Sequence, residues 1–485
     1  MGATSELTSP DLEAVVERAC VGVFPPDAQA LRPRLFAALE EAYPVRFDGC
    51  EDGDWSGFDA VVAIGAQGVL KPPRGVPLLW AIGEEAAQSG EGRQLTLSDS
   101  PSLARALRGS RLSERYCAPL SGAVPVGDRQ VLATVAGIPV WLAEDERAAD
   151  DGGVVRELVA VAPAELEAGE SLRERLAPGR CLALLALLNF IQSLPGGTGT
   201  RAQPVMAAFV LDDPNLHWPS YGHVRYAQIA SHANEHGYHM AIAMPPLDGS
   251  FAHPRAVRIF KEHPAQLSIC VHGNDHLGPE LGRVATERDG ISLARQALAR
   301  AGAFQRRTGI PFEPVMVPPH EQLSEPAARG LLAGGFDAVC VSRPYPWVVP
   351  GRPGPAAALG AGPPERGALA GWTSRETVAG GLPLMLRTGF NAPREDLVFR
   401  AFLGQPLILY GHHDVLKDGL DVLADAASAV DALGEVRWGS LAQIVRSGPI
   451  PGRIYLPEPL HVPRVRLRPL LRRLASEARD RARLS

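Results

Sequence analysis

From residue 205 onward, strand-length apolar runs alternate with amphipathic helical segments, and this alternation restricts the fold more than any other feature of the chain. Residues 205–211, 239–244, 266–271, 313–317, 336–341, 382–387 and 407–411 read as strands, because short apolar runs bounded by turn residues suit strands covered on both faces. Residues 221–236, 254–263, 286–308, 325–332, 394–403 and 420–433 read as helices, with Gly237 in the stop position of the first. Seven such alternations predict a parallel β/α barrel of seven to eight strands rather than a sandwich or a bundle. In such barrels groups at the C-terminal strand ends converge on one face. Asp212 and Asp213 end the first run, His272 follows the third, residues 318–321 follow the fourth, and His412 and His413 follow the seventh.

The rest of the chain is less regular. Residues 1–195 carry apolar runs at 58–64, 76–82, 131–142 and 158–161, with a helical segment at 28–43, and predict a smaller α/β accessory domain of flavodoxin-like or amidotransferase-like layout. It shows neither a Gly-rich phosphate loop after a strand nor a G-x-C-x-G elbow. Residues 196–204 read as a linker, 205–447 as the barrel, and 448–485 as a C-terminal extension. That extension holds eight arginines from Arg464 onward and an apolar stripe at Leu467, Leu470, Leu471 and Leu474. It is expected to be a basic amphipathic helix docked on the barrel, ahead of a membrane-surface or acidic-partner role.

A length of 485 residues with 46% hydrophobic and 21% charged residues fits a soluble globular protein of two or three domains. The net charge of -6 argues against nucleic acid as a partner of the whole chain. The apolar run at 181–194 includes Asn189 and Gln192 and is too short to span a bilayer, so no transmembrane segment is expected. Six scattered cysteines without a CxxC, and residues 1–17 lacking the basic and apolar regions of a signal peptide, point to a reducing, cytoplasmic setting.

The chemistry gathers in Leu211-Asp212-Asp213-Pro214 and His272-Gly273-Asn274-Asp275-His276. Two imidazoles and one carboxylate form a three-ligand face for a divalent metal, zinc first, with iron, cobalt or nickel as alternatives. The second aspartate is then left to take a proton from a water that the cation activates, and the cation keeps both carboxylates ionised. Nine of the thirteen histidines fall between His217 and His276, so rival patterns exist. His232-Ala233-Asn234-Glu235-His236 matches the H-x-x-E-H of inverted zinc peptidases, but it closes a helix expected on the outside of the barrel. One aspartate with His272 and His276 also fits the facial triad of a non-haem iron oxygenase, although the second aspartate suits hydrolysis better.

These residues resemble the polysaccharide deacetylase superfamily, the NodB-like carbohydrate esterases, in a divergent form. Asp212-Asp213 and His272-x-x-x-His276 look like the first two motifs, Leu409-Tyr410-Gly411-His412 like the final L-x-x-H, and Trp438-Gly439-Ser440-Leu441 like a W-x-S-L ending. The resemblance spans residues 204–445 and implies a distorted seven-to-eight-stranded β/α barrel. It further implies Asp213, His272 and His276 as metal ligands and Asp212 as general base. His412 is implied as general acid ahead of His413, and the oxyanion would be held by the metal and a backbone N–H.

Where the family usually shows R-x-P-[FY]-G, this chain has Val317-Pro318-Pro319-His320-Glu321, without the arginine that orients the base. Arg343 and Arg387, near later strand ends, are the candidates to replace it or to contact substrate, and His320 and Glu321 are candidate substrate contacts. Trp218, Tyr221, Tyr345, Trp347 and Trp372 sit in loops where aromatic faces suit sugar rings. The expected function is metal-dependent removal of an N-acyl group from an amino sugar or glycan precursor in surface-polysaccharide synthesis. The alternatives are an inactive glycan-binding or scaffold barrel, or deformylation or isomerisation on the same metal site.

Overall fold

The computed structural model describes residues 18–51, 55, 57–65, 75–83, 92–116, 129–145, 155–194, 204–344, 368–372, 377–378 and 381–447. Nearly all of the expected linker, Tyr345, Trp347, most of the Pro/Gly-rich stretch 344–364 and the arginine-rich tail lie outside the described residues. The chain divides into two compact units, one of Met1–Arg93, Glu114–Leu166 and Arg180–Arg201, the other of Gln94–Ser113, Glu167–Gly179 and Ala202–Ser485.

The first unit is built on strands β1 (Ala19–Phe24), β2 (Val45–Gly49), β3 (Ala60–Ile64), β4 (Leu78–Gly83), β5 (Gln130–Val135), β6 (Ile138–Asp145) and β7 (Val155–Val161). They run in the order β2-β1-β3-β4-β7-β6-β5, the first five parallel and the last two joined antiparallel. Its parallel part has the 2-1-3-4-5 order of flavodoxin-like sheets. Two details differ from the sequence expectation. The helix expected over 28–43 is divided into Pro26–Ala30 and α1 (Pro33–Ala42), because Pro33 has no N–H to continue the earlier turn. The apolar run 131–142 is a hairpin, turned by Ala136 (φ 51°) and Gly137 (φ 79°) as a two-residue primed turn requires. The 14-residue apolar run forms the core helix α2 (Leu182–Ser193), and among the described residues no helix is long and apolar enough to cross a membrane.

The second unit contains a closed barrel. Strands β8 (Val205–Asp212), β9 (Met240–Met244), β10 (Leu267–His272), β11 (Glu313–Val317), β12 (Ala338–Val341), β13 (Leu382–Gly389) and β14 (Leu407–Gly411) pair in sequence order, every pair parallel, and β14 returns to β8. A short β15 (Val436–Trp438) pairs with the start of β8, and the β10–β11 register shifts between Cys270 and Val271, so the barrel is distorted. Helices α3 (Tyr226–His236), α4 (Pro254–Glu262), α5 (Glu287–Thr308), α6 (Glu325–Gly334), α7 (Arg394–Phe402) and α8 (Asp421–Asp431) lie between the strands in the expected places. Gly237 ends α3 in the left-handed conformation. The expected α/β class, a β/α barrel preceded by a smaller α/β unit, is borne out.

All seven barrel strands contribute to one buried cluster that includes Ala208, Val210, Ala243, Cys270, Val317, Cys340, Met385 and Ile408, which is the lumen. Its predominantly small side chains match the narrow bore of seven strands. Because side chains alternate along a strand, Asp212 follows Val210, His272 follows Cys270 and Arg387 follows Met385 onto the lumen side. Outside the barrel, α5 and α6 approach so closely that a Cβ at Gly330 would fall on the Gly290 backbone. Gly330→Ala is therefore expected to lower stability by about 1–3 kcal/mol, despite the roughly 1 kcal/mol that alanine gains in helix propensity. Urea denaturation measures the loss; an unchanged midpoint would refute the close approach.

Candidate metal centre

Strand β8 delivers Asp212 and stops. The next residue, Asp213, turns out of the strand with φ 82°, its N–H donating to Ala243 O at 3.1 Å. That turn brings the Asp213 carboxylate to His272 Nε2 at 3.5 Å and His276 Nε2 at 3.1 Å, both from Oδ1. His272 closes β10, and its Nδ1 donates to Val317 O at 2.8 Å. A carbonyl only accepts, so Nδ1 carries the proton and Nε2 presents its lone pair to the site. Asp213, His272 and His276 offer ligand atoms within 4.8 Å of one another, and they are the only such group among the described residues.

The geometry fits a cation. Asp213 Oδ1 is buried without a hydrogen-bond partner in the described structure, which is costly unless something positive completes it. Burial pushes the Asp213 carboxyl up, but the two imidazoles outweigh it and hold it well below the usual carboxylate range. Burial pushes the His272 imidazole down, and Asp213 and Asp212 more than offset that. Two imidazole nitrogens and a carboxylate, one imidazole fixed from behind by a carbonyl, are a donor set for zinc or a neighbouring transition metal.

Asp212 lies deeper, 2% exposed, and its partner is Arg387, 1% exposed, on β13. Arg387 Nη1 donates to Asp212 Oδ1 at 2.8 Å and Nη2 to Oδ2 at 2.7 Å, a two-pronged pairing that fixes the plane of the carboxylate. Its Nε donates to Glu321 Oε1 at 2.9 Å, Nη2 reaches the same oxygen, and the guanidinium lies 3.9 Å from the centroid of the Tyr410 ring. Burial pushes Asp212 up, yet Arg387 and His272 leave it below the usual carboxylate range. Of the two arginines offered by the sequence, Arg387 therefore holds the candidate base. Arg343 instead donates to Glu321 O at 3.1 Å.

Glu321 does not point into open space. Its Oε2 accepts from Ser342 N at 2.7 Å while Oε1 takes Arg387. His320, beside it, puts its ring 5.3 Å from that of His276 and is exposed. Burial and the neighbouring His276 imidazole lower its affinity for a proton. His412 Nε2 stands 3.9 Å from Asp213 Oδ2 with 54% of its side chain exposed. His413 turns away to pack against Tyr221 and His223, with ring centroids at 5.6 and 5.7 Å. His232 and His236 lie against each other on α3 with ring centroids 4.2 Å apart, and His232 Nδ1 bonds the Tyr238 hydroxyl at 3.0 Å, so neither joins the metal group.

The backbone marks the same place. Among the described residues five non-glycines have positive φ, and four of them, Asp213, His276, His320 and Glu321, belong to this site. Such conformations cost on the order of 1–3 kcal/mol each and persist where the surroundings over-determine them. Periodicity and motif carry no signal for this. Trp218 at 50%, Phe251 at 55% and Leu277 at 37% are the large apolar side chains left exposed on the barrel unit among the described residues. They follow β8, β9 and β10, of which β8 leads into Asp213 and β10 ends on His272, and His253 N donates to Leu216 O at 2.7 Å to tie two of their loops. Trp372 is buried, its carbonyl accepting from Gln405.

Fold and site together define a parallel β/α barrel with a two-histidine, one-carboxylate centre and a second, arginine-locked aspartate at its C-terminal strand ends. No protein-family model matches the chain, and no curated protein does. Solved structures similar to it include a family 4 carbohydrate esterase from Streptomyces lividans, at 11% identity over 49% of this chain and 93% of that one, TM-score 0.30. The peptidoglycan deacetylase PdaC from Bacillus subtilis matches at 11% identity over 50% of this chain and 93% of its own, TM-score 0.27. A 4-alpha-glucanotransferase from Thermococcus litoralis matches at 10% identity over 51% of this chain and 41% of its own, TM-score 0.33. The barrel itself is established by the chain's own strand order and closure.

Proposed function

We propose that the chain is a metal-dependent amide hydrolase that removes an N-acyl group from an amino sugar or glycan precursor. The observation that carries this is the convergence of Asp213, His272 and His276 beside an aspartate that Arg387 holds ionised. A divalent cation held by those three residues, zinc first with iron, cobalt or nickel as alternatives, would supply Lewis-acid polarisation of the acyl carbonyl and a lowered pKa for attacking water. Asp212 accepts the proton of that water, its plane fixed and its charge maintained by Arg387. His412, exposed at the mouth, is placed to return a proton to the departing amine, with His413 the second choice. Trp218, Phe251 and Leu277 offer apolar faces of the kind that suit the C–H face of a pyranose ring. His320, on the strained turn between these groups, is proposed to meet the acyl end of the substrate.

The biological setting we propose is surface-polysaccharide synthesis in the cytoplasm. Among the described residues no disulfide joins Cys20, Cys50, Cys181, Cys270 or Cys340, in keeping with a reducing compartment.

Metal content of the purified protein, compared with Asp213→Ala, and acetate release from N-acetylated oligosaccharides test the reading together. One metal per chain, lost in Asp213→Ala along with acetate release, is the expected result. No metal in either protein rejects the hydrolase; metal without acetate release returns the chain to a glycan-binding or scaffold barrel or to deformylation or isomerisation on the same metal.

A further inference from the structure

His272 is carried by a strand and backed by Val317 O, whereas His276 lies four residues out in a loop, in a backbone conformation (φ 53°) that an ordinary turn does not hold. A single side chain organises that loop. Glu280 Oε1 accepts from three successive amides, Asn274 N at 2.6 Å, Asp275 N at 3.2 Å and His276 N at 3.1 Å, and Oε2 from Asp275 N at 3.4 Å. Consecutive amides converging on one point form a concavity that takes an acceptor oxygen, and here the chain supplies its own carboxyl oxygens. Gly273 (φ 65°) leaves the room, since a Cβ there would run into Glu280 Oε1 and Pro319. From the other side Arg300 Nη1 donates to Asn274 Oδ1 at 2.6 Å, and Asn274 Nδ2 donates to Gln296 Oε1 at 2.6 Å, which moors the loop to α5.

We propose that Glu280 is a positioning residue for the metal centre, whose carboxyl group gathers the loop from Gly273 to His276 so that the His276 imidazole faces Asp213. Glu280 accepts from the loop amides and not from the ligand nitrogens, so it acts through the main chain of a ligand. The inference rests on the metal reading above.

The test is Co²⁺ affinity and visible absorption of the full chain, with urea denaturation in parallel. Glu280→Met keeps the volume and removes the acceptors, Glu280→Gln keeps an oxygen acceptor, and Leu331→Ala in α6 is a control that destabilises the buried cluster behind the loop, shared with Val271 and Leu281, while leaving the Glu280 acceptors in place. Glu280→Met is expected to bind Co²⁺ about 10–100-fold more weakly, with an altered absorption band, as loss of a group orienting a ligand does. Glu280→Gln should keep most of the affinity, and Leu331→Ala should bind as wild type does. If Glu280→Met fails to fold, Glu280→Ala is expected to show the same weakening. Wild-type affinity in Glu280→Met or Glu280→Ala, equal loss in Glu280→Gln, or equal loss in Leu331→Ala overturns the assignment. A wild-type chain that binds no Co²⁺ is a separate failure, that of the metal centre itself, and takes this inference with it.

Discussion

Replacing Arg387 with methionine is expected to destabilise the barrel by about 3–5 kcal/mol, because it leaves two carboxylates, Asp212 and Glu321, without their shared cation at a buried site. Urea midpoints at neutral pH measure this, and unfolding at the wild-type midpoint would mean that the ion-pair network contributes nothing. The effect depends on pH with a definite sign. Burial raises the Asp212 pKa, but Arg387 and His272 bring the folded value below the ordinary one. A depressed carboxylate contributes its full stability above the unfolded value of about 3.9 and loses it as pH falls through the folded value. The gap between wild type and Arg387→Met should therefore be widest near neutrality and narrow below about pH 4. Arg387→Lys keeps a charge but lacks the planar two-pronged fit, so its stability should suffer less than its rate.

The second large effect is expected from Asp212→Asn, which is nearly isosteric and removes the charge together with the ability to take up a proton. Deacetylation should slow by about 10²–10⁴-fold while metal content stays at the wild-type level, because Asp213 rather than Asp212 lies with the imidazoles. Arg387 would still have Glu321 as a counter-ion, so stability should fall by less than in Arg387→Met. Single-turnover acetate release on metal-loaded protein decides it. Wild-type turnover in Asp212→Asn would remove Asp212 from the chemistry, and loss of metal would make it a ligand.

The barrel was legible because each of its strands is a short apolar run between turn residues, and the polar residues at their ends could then be assigned to one face. The aspartate pair and His272 followed from that placement and His276 from its spacing, whereas the choice of Asp213 over Asp212 as ligand came from the resemblance alone. The choice between Arg343 and Arg387 followed from neither, although a physical signal was present. Arg387 is the sixth residue of β13, a strand whose first six positions are all buried, whereas Arg343 lies past the end of β12. A cation inside such a strand must have a buried anion, and Asp212 is 175 residues away in sequence, beyond any local pattern. Glu280 was invisible for the opposite reason, since an acid after Leu277-Gly278-Pro279 reads as solvated. In the first unit, β1 and β2 were missed because charged or glycine residues interrupt their apolar runs, and Pro33 divides a helix that hydrophobic spacing alone joins.

Three of the four left-handed non-glycine residues around the candidate metal centre set opposing demands on the gene. At Asp213, His276 and His320, glycine would relieve the backbone, so a population selected only for a sturdier barrel would drift toward glycine there and lose the centre, whereas Glu321 would be kept for the buried Arg387 it pairs with. Retention of the three bulkier residues would then be the trace left by selection for what the site does, and a related chain carrying glycine at these three positions would be expected to be the more stable and the less active of the two.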